Sequence, residues 1–160
     1  MIVSEDGRYR VTDETAGATL IETARSFLGL ALTDARNALG GAAHVVPGDE
    51  YGRLLNVTSL ESEDVFPGTL YVEDDKVRLV RIKGSGLRGV TRAALRSQMR
   101  GDAIGLRSRA GKLAQLLVYA SDGIAFSTQG EDVHFLEAFA PCTHGEYETW
   151  YYQPPPVFIR

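Results

Sequence analysis

The spacing of apolar residues changes along the chain, and each change predicts a new element. From Ala18, the apolar residues Leu20, Ile21, Ala24, Phe27 and Leu28 recur at helical spacing with Glu22, Arg25 and Ser26 between them, which predicts a helix with one buried stripe. A second, short helix is expected from Thr33, whose hydroxyl suits an N-cap, with Asp34 in its first turn and Gly40-Gly41 as its end. Arg8 to Thr12, after the Asp6-Gly7 turn signal, and Arg53 to Val57 read as strands. Ser59-Leu60-Glu61-Ser62-Glu63-Asp64 then reads as an acidic loop leading to a turn at Pro67-Gly68.

Residues 68 to 83 and 123 to 139 line up once one residue is inserted in the turn, and each segment predicts a β-hairpin. Strict alternation slips by one residue in the second strand of both, at Leu79-Val80 and at Phe135-Leu136. A slip at matching positions predicts either a bulge or a strand buried on both faces. Upstream of each hairpin lies a helix-opening pattern, Leu32-Thr33-Asp34-Ala35 and Val90-Thr91-Arg92-Ala93, so the repeating unit is roughly 55 to 58 residues of helix followed by antiparallel sheet.

Between the hairpins, Thr91 to Met99 predicts a third helix, and Ile104 to Ser108, Ala114 to Tyr119, Ile124 to Thr128 and Val133 to Phe139 predict a meander. Glu146 to Tyr152 alternates and is rich in aromatic residues, so it reads as a last strand, and Pro154-Pro155-Pro156 as an extended segment closing an edge. The expectation is an α+β fold of two tandem helix-plus-antiparallel-sheet repeats, mostly meander strands with helices on one face. Its first repeat, with the N-terminal strand, spans residues 1–84, and its second, with the C-terminal edge segment, spans 85–160.

At 160 residues the chain can bury a core without metal or disulfide support, and Cys142, its one cysteine, suits a reducing compartment. The first thirty residues include Glu5, Asp6, Asp13 and Glu14 and no long apolar run, so the expectation is a cytoplasmic protein without secretory signal or membrane partner. The net charge of −4 conceals segregation: residues 1–75 hold 5 Lys/Arg and 14 Asp/Glu, residues 76–112 hold 11 and 1, and residues 113–160 hold 1 and 6. Such blocks either neutralise one another within the fold or present patches of opposite sign to different partners.

Gly84-Ser85-Gly86-Leu87-Arg88-Gly89 matches the spacing of a dinucleotide-binding glycine loop, but a meander follows it rather than a parallel crossover. A flexible linker between repeats is the expected use of these glycines. Arg88, Arg92, Arg96 and Arg100 recur every four residues and would form one cationic helix face. That face would bind nucleic acid, dock on an acidic protein, or pair within the fold with Glu61, Glu63 and Asp64 or Glu73, Asp74 and Asp75. His134, Cys142 and His144 have no compact ligand spacing, and no local signature positions a catalytic triad, so no catalytic residue, metal site or cofactor is expected. Tyr147, Trp150, Tyr151 and Tyr152 concentrate residue types enriched in binding hot spots, with alternation placing Trp150 and Tyr152 on one face.

In the paired openings Leu32-Thr33-Asp34-Ala35 to Gly40 and Val90-Thr91-Arg92-Ala93 to Gly101, each leading into a hairpin, residues 30 to 139 resemble the tandem-repeat β-lactamase-inhibitory proteins. Bacterial toxin-immunity proteins use similar small α+β units. The resemblance implies a non-catalytic protein whose sheet surface clasps a partner enzyme or toxin. Glu61, Glu63, Asp64, Glu73, Asp74 and Asp75, with Trp150 and Tyr152, are the expected contacts, steering a basic partner by charge.

Overall fold

The computed structural model describes the backbone at residues 2–3, 9–10, 13–40, 44–51, 54–62 and 67–155, and side-chain environments within residues 16–40 and 67–155. In chain order the elements are β1 (Ile2–Val3), β2 (Tyr9–Arg10), α1 (Asp13–Phe27), α2 (Leu32–Ala38), β3 (His44–Tyr51), β4 (Leu54–Ser62), β5 (Gly68–Glu73) and β6 (Lys76–Lys83). A 3-10 turn (Gly84–Leu87) leads to α3 (Arg92–Arg96), β7 (Ile104–Arg107), β8 (Gln115–Tyr119), β9 (Ile124–Gln129), β10 (Asp132–Phe139) and α4 (His144–Trp150). Strands β1 and β2 pair with each other. The other eight form one antiparallel sheet in the order β3-β4-β5-β6-β10-β9-β8-β7. The chain is thus α+β, with two four-stranded meanders joined where β6 meets β10.

Side chains alternate across a strand, so each face of the sheet takes every second residue. One face presents Leu70, Val80, Ile82, Phe126, Leu136 and Ala138 to Ile21, Ala24 and Phe27 of α1, Ala35 of α2 and Leu95 of α3. The other presents Leu79, Leu116, Val118, Phe135 and Phe139 to Tyr147 and Tyr151, the latter immediately after α4. Helices therefore cover both faces, contrary to the expectation of one. The cause is the C-terminal segment, which folds as α4 and not as a strand. Thr143 Oγ1 accepts from the Glu146 N–H at 3.1 Å while Glu146 Oε1 accepts from the Thr143 N–H at 3.1 Å, a capping box that starts a helix. Helical spacing then places Tyr147 and Tyr151 together, both packed on Phe139 with ring centroids 5.1 Å away.

Other departures have local causes. Helix α2 begins at Leu32 behind Ala31, so Thr33 is not its cap. Strand β3, unforeseen because of Pro47-Gly48, sits at the sheet edge, where a proline is tolerated and register shifts flank Asp49. Ser59–Ser62, expected in a loop, complete β4, while Glu63 and Asp64 lie outside the described residues, as do Arg8, Val11, Thr12, Arg53 and Pro156. The Gly84-Ser85-Gly86 segment is a packed turn and not a loose linker: Leu87 is buried, and a Cβ on Gly86 would lie 2.9 Å from Ile82 Cγ2.

Candidate functional site

The β5–β6 and β9–β10 hairpins have the same construction. Two-residue tips, Asp74-Asp75 and Gly130-Glu131, close the pairs Glu73↔Lys76 and Gln129↔Asp132. Both Asp74 (φ 52°) and Asp75 (φ 59°) are left-handed, the conformation a primed hairpin turn demands and one that aspartate tolerates better than most side chains. Each second strand carries one extra residue, Arg78 in β6 and His134 in β10, just before the expected slips, and Leu79-Val80 and Phe135-Leu136 are themselves buried on opposite faces, so both alternatives hold.

The tip acids reach back to the helices. Asp75 Oδ1 accepts from the Leu32 N–H at 3.3 Å, at the start of α2. Glu131 Oε2 accepts from the Ala93 N–H at 3.3 Å, the Glu131 carbonyl accepts from the Arg92 N–H at 3.1 Å, and the carboxylate pairs with Arg92 Nη2 at 3.3 Å, all at the start of α3. A carboxylate there satisfies orphan N–H groups and complements the helix dipole. Of the expected contact acids, Asp75 thus caps a helix. Glu73 is 3.5 Å from the guanidinium of Arg78, Asp74 is exposed, and Glu61 is the strand partner of Thr69.

The arginine row does not lie on one helix. Helix α3 spans only Arg92–Arg96, ending soon after its Thr91 cap is set, so Arg88 precedes it and Arg100 follows it. Arg92 is engaged with Glu131, and the backbone N–H groups of Arg100 and Gly101 donate to the Asp122 carboxylate at 3.1 and 2.9 Å.

The aromatic segment divides more sharply than alternation suggested. Tyr147 and Tyr151 are buried, Tyr152 is half-buried with its hydroxyl donating to the Arg107 carbonyl at 2.8 Å, and Trp150 is 48% exposed. The Arg78 charge also acts on the Tyr151 phenol, so one guanidinium stands near both Glu73 of the β5–β6 tip and the residue after Trp150. Burial raises the Tyr151 phenol above its ordinary value; Arg78 opposes this and Glu73 reinforces it. Burial likewise raises Tyr152, and burial with the nearby Glu146 raises the Cys142 thiol. The raised thiol is a poor nucleophile near neutral pH.

On the α4 face, a cavity of about 250 Å³ lies over the middle of the sheet. Tyr71, Arg81, Arg109, Phe135, Glu137 and Tyr147 line it. Glu137, 2% exposed, accepts from the Tyr147 hydroxyl at 2.5 Å. Sequence reasoning passed over Arg81 and Glu137, and considered Arg109 only beside Arg107 as a reader of a dinucleotide 2′-phosphate. Strand pairing is what gathers them, since Glu137 lies directly opposite Arg81 across β10 and β6. Among the described residues no three His, Cys, Asp or Glu side chains converge as a metal site, and no helix is long and apolar enough to cross a membrane. No protein-family model matches the chain, and no curated protein or solved structure matches it.

Proposed function

We propose that this is a non-catalytic protein-binding protein, an inhibitor or immunity protein that blocks a partner enzyme or toxin through a surface around Trp150 and the β5–β6 tip. The observation that carries the reading is Trp150 itself. Its neighbours in the same aromatic run are packed away, whereas this ring stands 48% exposed next to Tyr151, whose phenol feels the charges of Arg78 and of Glu73 at the acidic tip. Holding a large apolar ring in water is unfavourable, and a partner that covers it gains the kind of contact that dominates interface energies. Asp74, exposed at the tip, adds charge that would steer a basic partner.

The reading includes a duplicated scaffold. The interval from Asp75 to Glu131 equals that from Arg78 to His134, and the same interval relates Arg81 to Glu137, which face each other in the central strand pair. Equal spacing of tip acid, bulge and central residue, with mirrored strand order, supports two copies of one helix-plus-meander unit. This is the kind of scaffold the resemblance to the tandem-repeat inhibitors implies.

The test is paired affinity capture from the native cell, using the wild-type chain and Trp150→Ala as baits with matched circular dichroism. A partner held by the wild type and lost by the variant, whose enzymatic or toxic activity falls when the wild-type chain is added, is expected. Identical capture profiles, or a captured partner whose activity is untouched, would overturn the reading. With the partner in hand, Asp74→Lys should slow association at low salt and lose its effect at high salt.

A further inference from the structure

The geometry points to the cavity over the central strand pair as a binding site for a carboxylate carried on a short aliphatic stem. This inference goes beyond the contact surface around Trp150 and does not depend on it. The face in which the cavity lies buries Leu79, Val118, Ala125 and Phe139, with Thr69 and Ser127 as small polar residues among them. Charged groups concentrate at one spot in it, and that requires compensation.

Among the described residues the charges of that spot do not balance. Among those residues, two guanidinium groups, Arg81 and Arg109, line the cavity with one carboxylate, Glu137, so these side chains carry a formal surplus of one positive charge. Glu137 is already served by the Tyr147 hydroxyl. Arg109 Nη1 donates to Gln153 Oε1 at 2.7 Å, which fixes the guanidinium at the cavity mouth and leaves it further N–H groups. The Arg81 guanidinium lies 4.6 Å from the centroid of the Phe135 ring, a cation–π contact that holds it in place without occupying its N–H donors.

Charge and shape select the ligand class. A monoanion would make the site neutral, whereas a dianionic phosphate would leave an excess negative charge beside the buried Glu137. Guanidinium groups offer the paired donors that suit carboxylate oxygens. Phe135, Leu116 and Tyr71 provide an apolar wall for a stem of two or three methylenes, and about 250 Å³ leaves room for such a group.

The test is a titration of the ¹⁵N-labelled full chain, at fixed pH and ionic strength, with butyrate, butyramide and inorganic phosphate, following the arginine Nε–H signals. Butyrate should shift Arg81 and Arg109 saturably, with phosphate weaker and butyramide without a saturable effect. Arg81→Gln and Arg109→Gln should each weaken butyrate roughly tenfold, as expected for loss of a charge-assisted hydrogen bond. Arg109 is exposed, so its variant carries the test even if Arg81→Gln does not fold. Equal responses to butyramide, shifts spread evenly over surface arginines such as Arg88 and Arg96, or unchanged butyrate binding in Arg109→Gln would overturn the assignment. Tighter binding of phosphate than of butyrate would overturn the ligand class.

Discussion

The meander β3–β6 and the meander β7–β10 are alike where they must hold a helix and differ on the face that α4 covers. In both, a hairpin tip places a carboxylate at the start of a short helix, and a single bulged residue follows in the second strand. Beyond that the halves diverge. Only the second is followed by a helix that crosses to the opposite face, bringing Tyr147 onto Glu137 and leaving Trp150 half in water. The shared features are those that make the unit fold, and the unshared ones gather at the candidate sites. Arg81 and Glu137 show this most directly, being opposed in the central pair yet opposite in charge.

The largest expected effect tests whether the halves are one cooperative unit. Leu136 is fully buried in β10, pairs with Ile82 of β6, and packs in the cluster that includes α1 and α2. Leu136→Ala should cost about 2–5 kcal/mol, as deletion of a core side chain does when its surroundings cannot close the gap. Urea unfolding should show one transition at a lower midpoint with an unchanged slope. Two separate transitions would mean that the halves fold independently and that the β6–β10 pair is only a contact between them.

Next in size is the polar link peculiar to the second half. Tyr147→Phe keeps the ring packing against Phe139 but removes the donor to a carboxylate that is 2% exposed. The expected loss is about 1–3 kcal/mol, the usual consequence of depriving a buried acceptor of a partner. A neutral result would show that Glu137 is sufficiently served by its other neighbours, and the α4 face would then be less specialised than the comparison implies.

The paired tips give a smaller and more direct comparison. Asp75→Ala and Glu131→Ala each remove a carboxylate from the start of a helix, and each should cost about 0.5–2 kcal/mol. If the tips have equivalent structural roles, their effects should match, and the double variant should be additive within about 0.5 kcal/mol. A much smaller loss for Asp75→Ala would return that residue to the partner-binding acids.

What the sequence disclosed follows the same division. The two hairpins and their bulges were legible because a one-residue slip leaves a visible trace in an alternating pattern, and a short strand has few other ways to accommodate it. Helix α4 differs from the expected strand because Tyr147, Trp150, Tyr151 and Tyr152, read at a period of two, divide between two strand faces, although the same residues also fit a helix. The competing signal was nevertheless present, in the Thr143–Glu146 spacing of the capping box. Helix α3 is shorter than the expected Thr91–Met99, because the chain leaves the helix at Ser97 and gives the N–H groups of Arg100 and Gly101 to Asp122, so the arginine row loses the helix it depends on. The cavity was beyond a local reading: Arg81 and Glu137 meet through strand register, and Arg109 arrives from a loop held by Gln153. No spacing in one segment encodes that meeting.

The smallest effect concerns Tyr151, where the first hairpin touches the end of the second half. Its phenol is raised above the ordinary value of about 10, chiefly by burial, so the folded chain keeps this proton further into alkali than the unfolded chain does. The resulting stability is fully present below pH ~10, where the phenol is protonated in both states. Above that, unfolding releases the proton, and stability falls as pH rises towards the folded-state value. Tyr151→Phe should therefore make the alkaline decline shallower, while Tyr152→Phe, at a phenol raised by the same cause, should do so as well through its own hydroxyl. Measured as urea midpoints between pH 8 and 11, identical alkaline limbs for wild type and Tyr151→Phe would mean that the hydroxyl is as well solvated folded as unfolded.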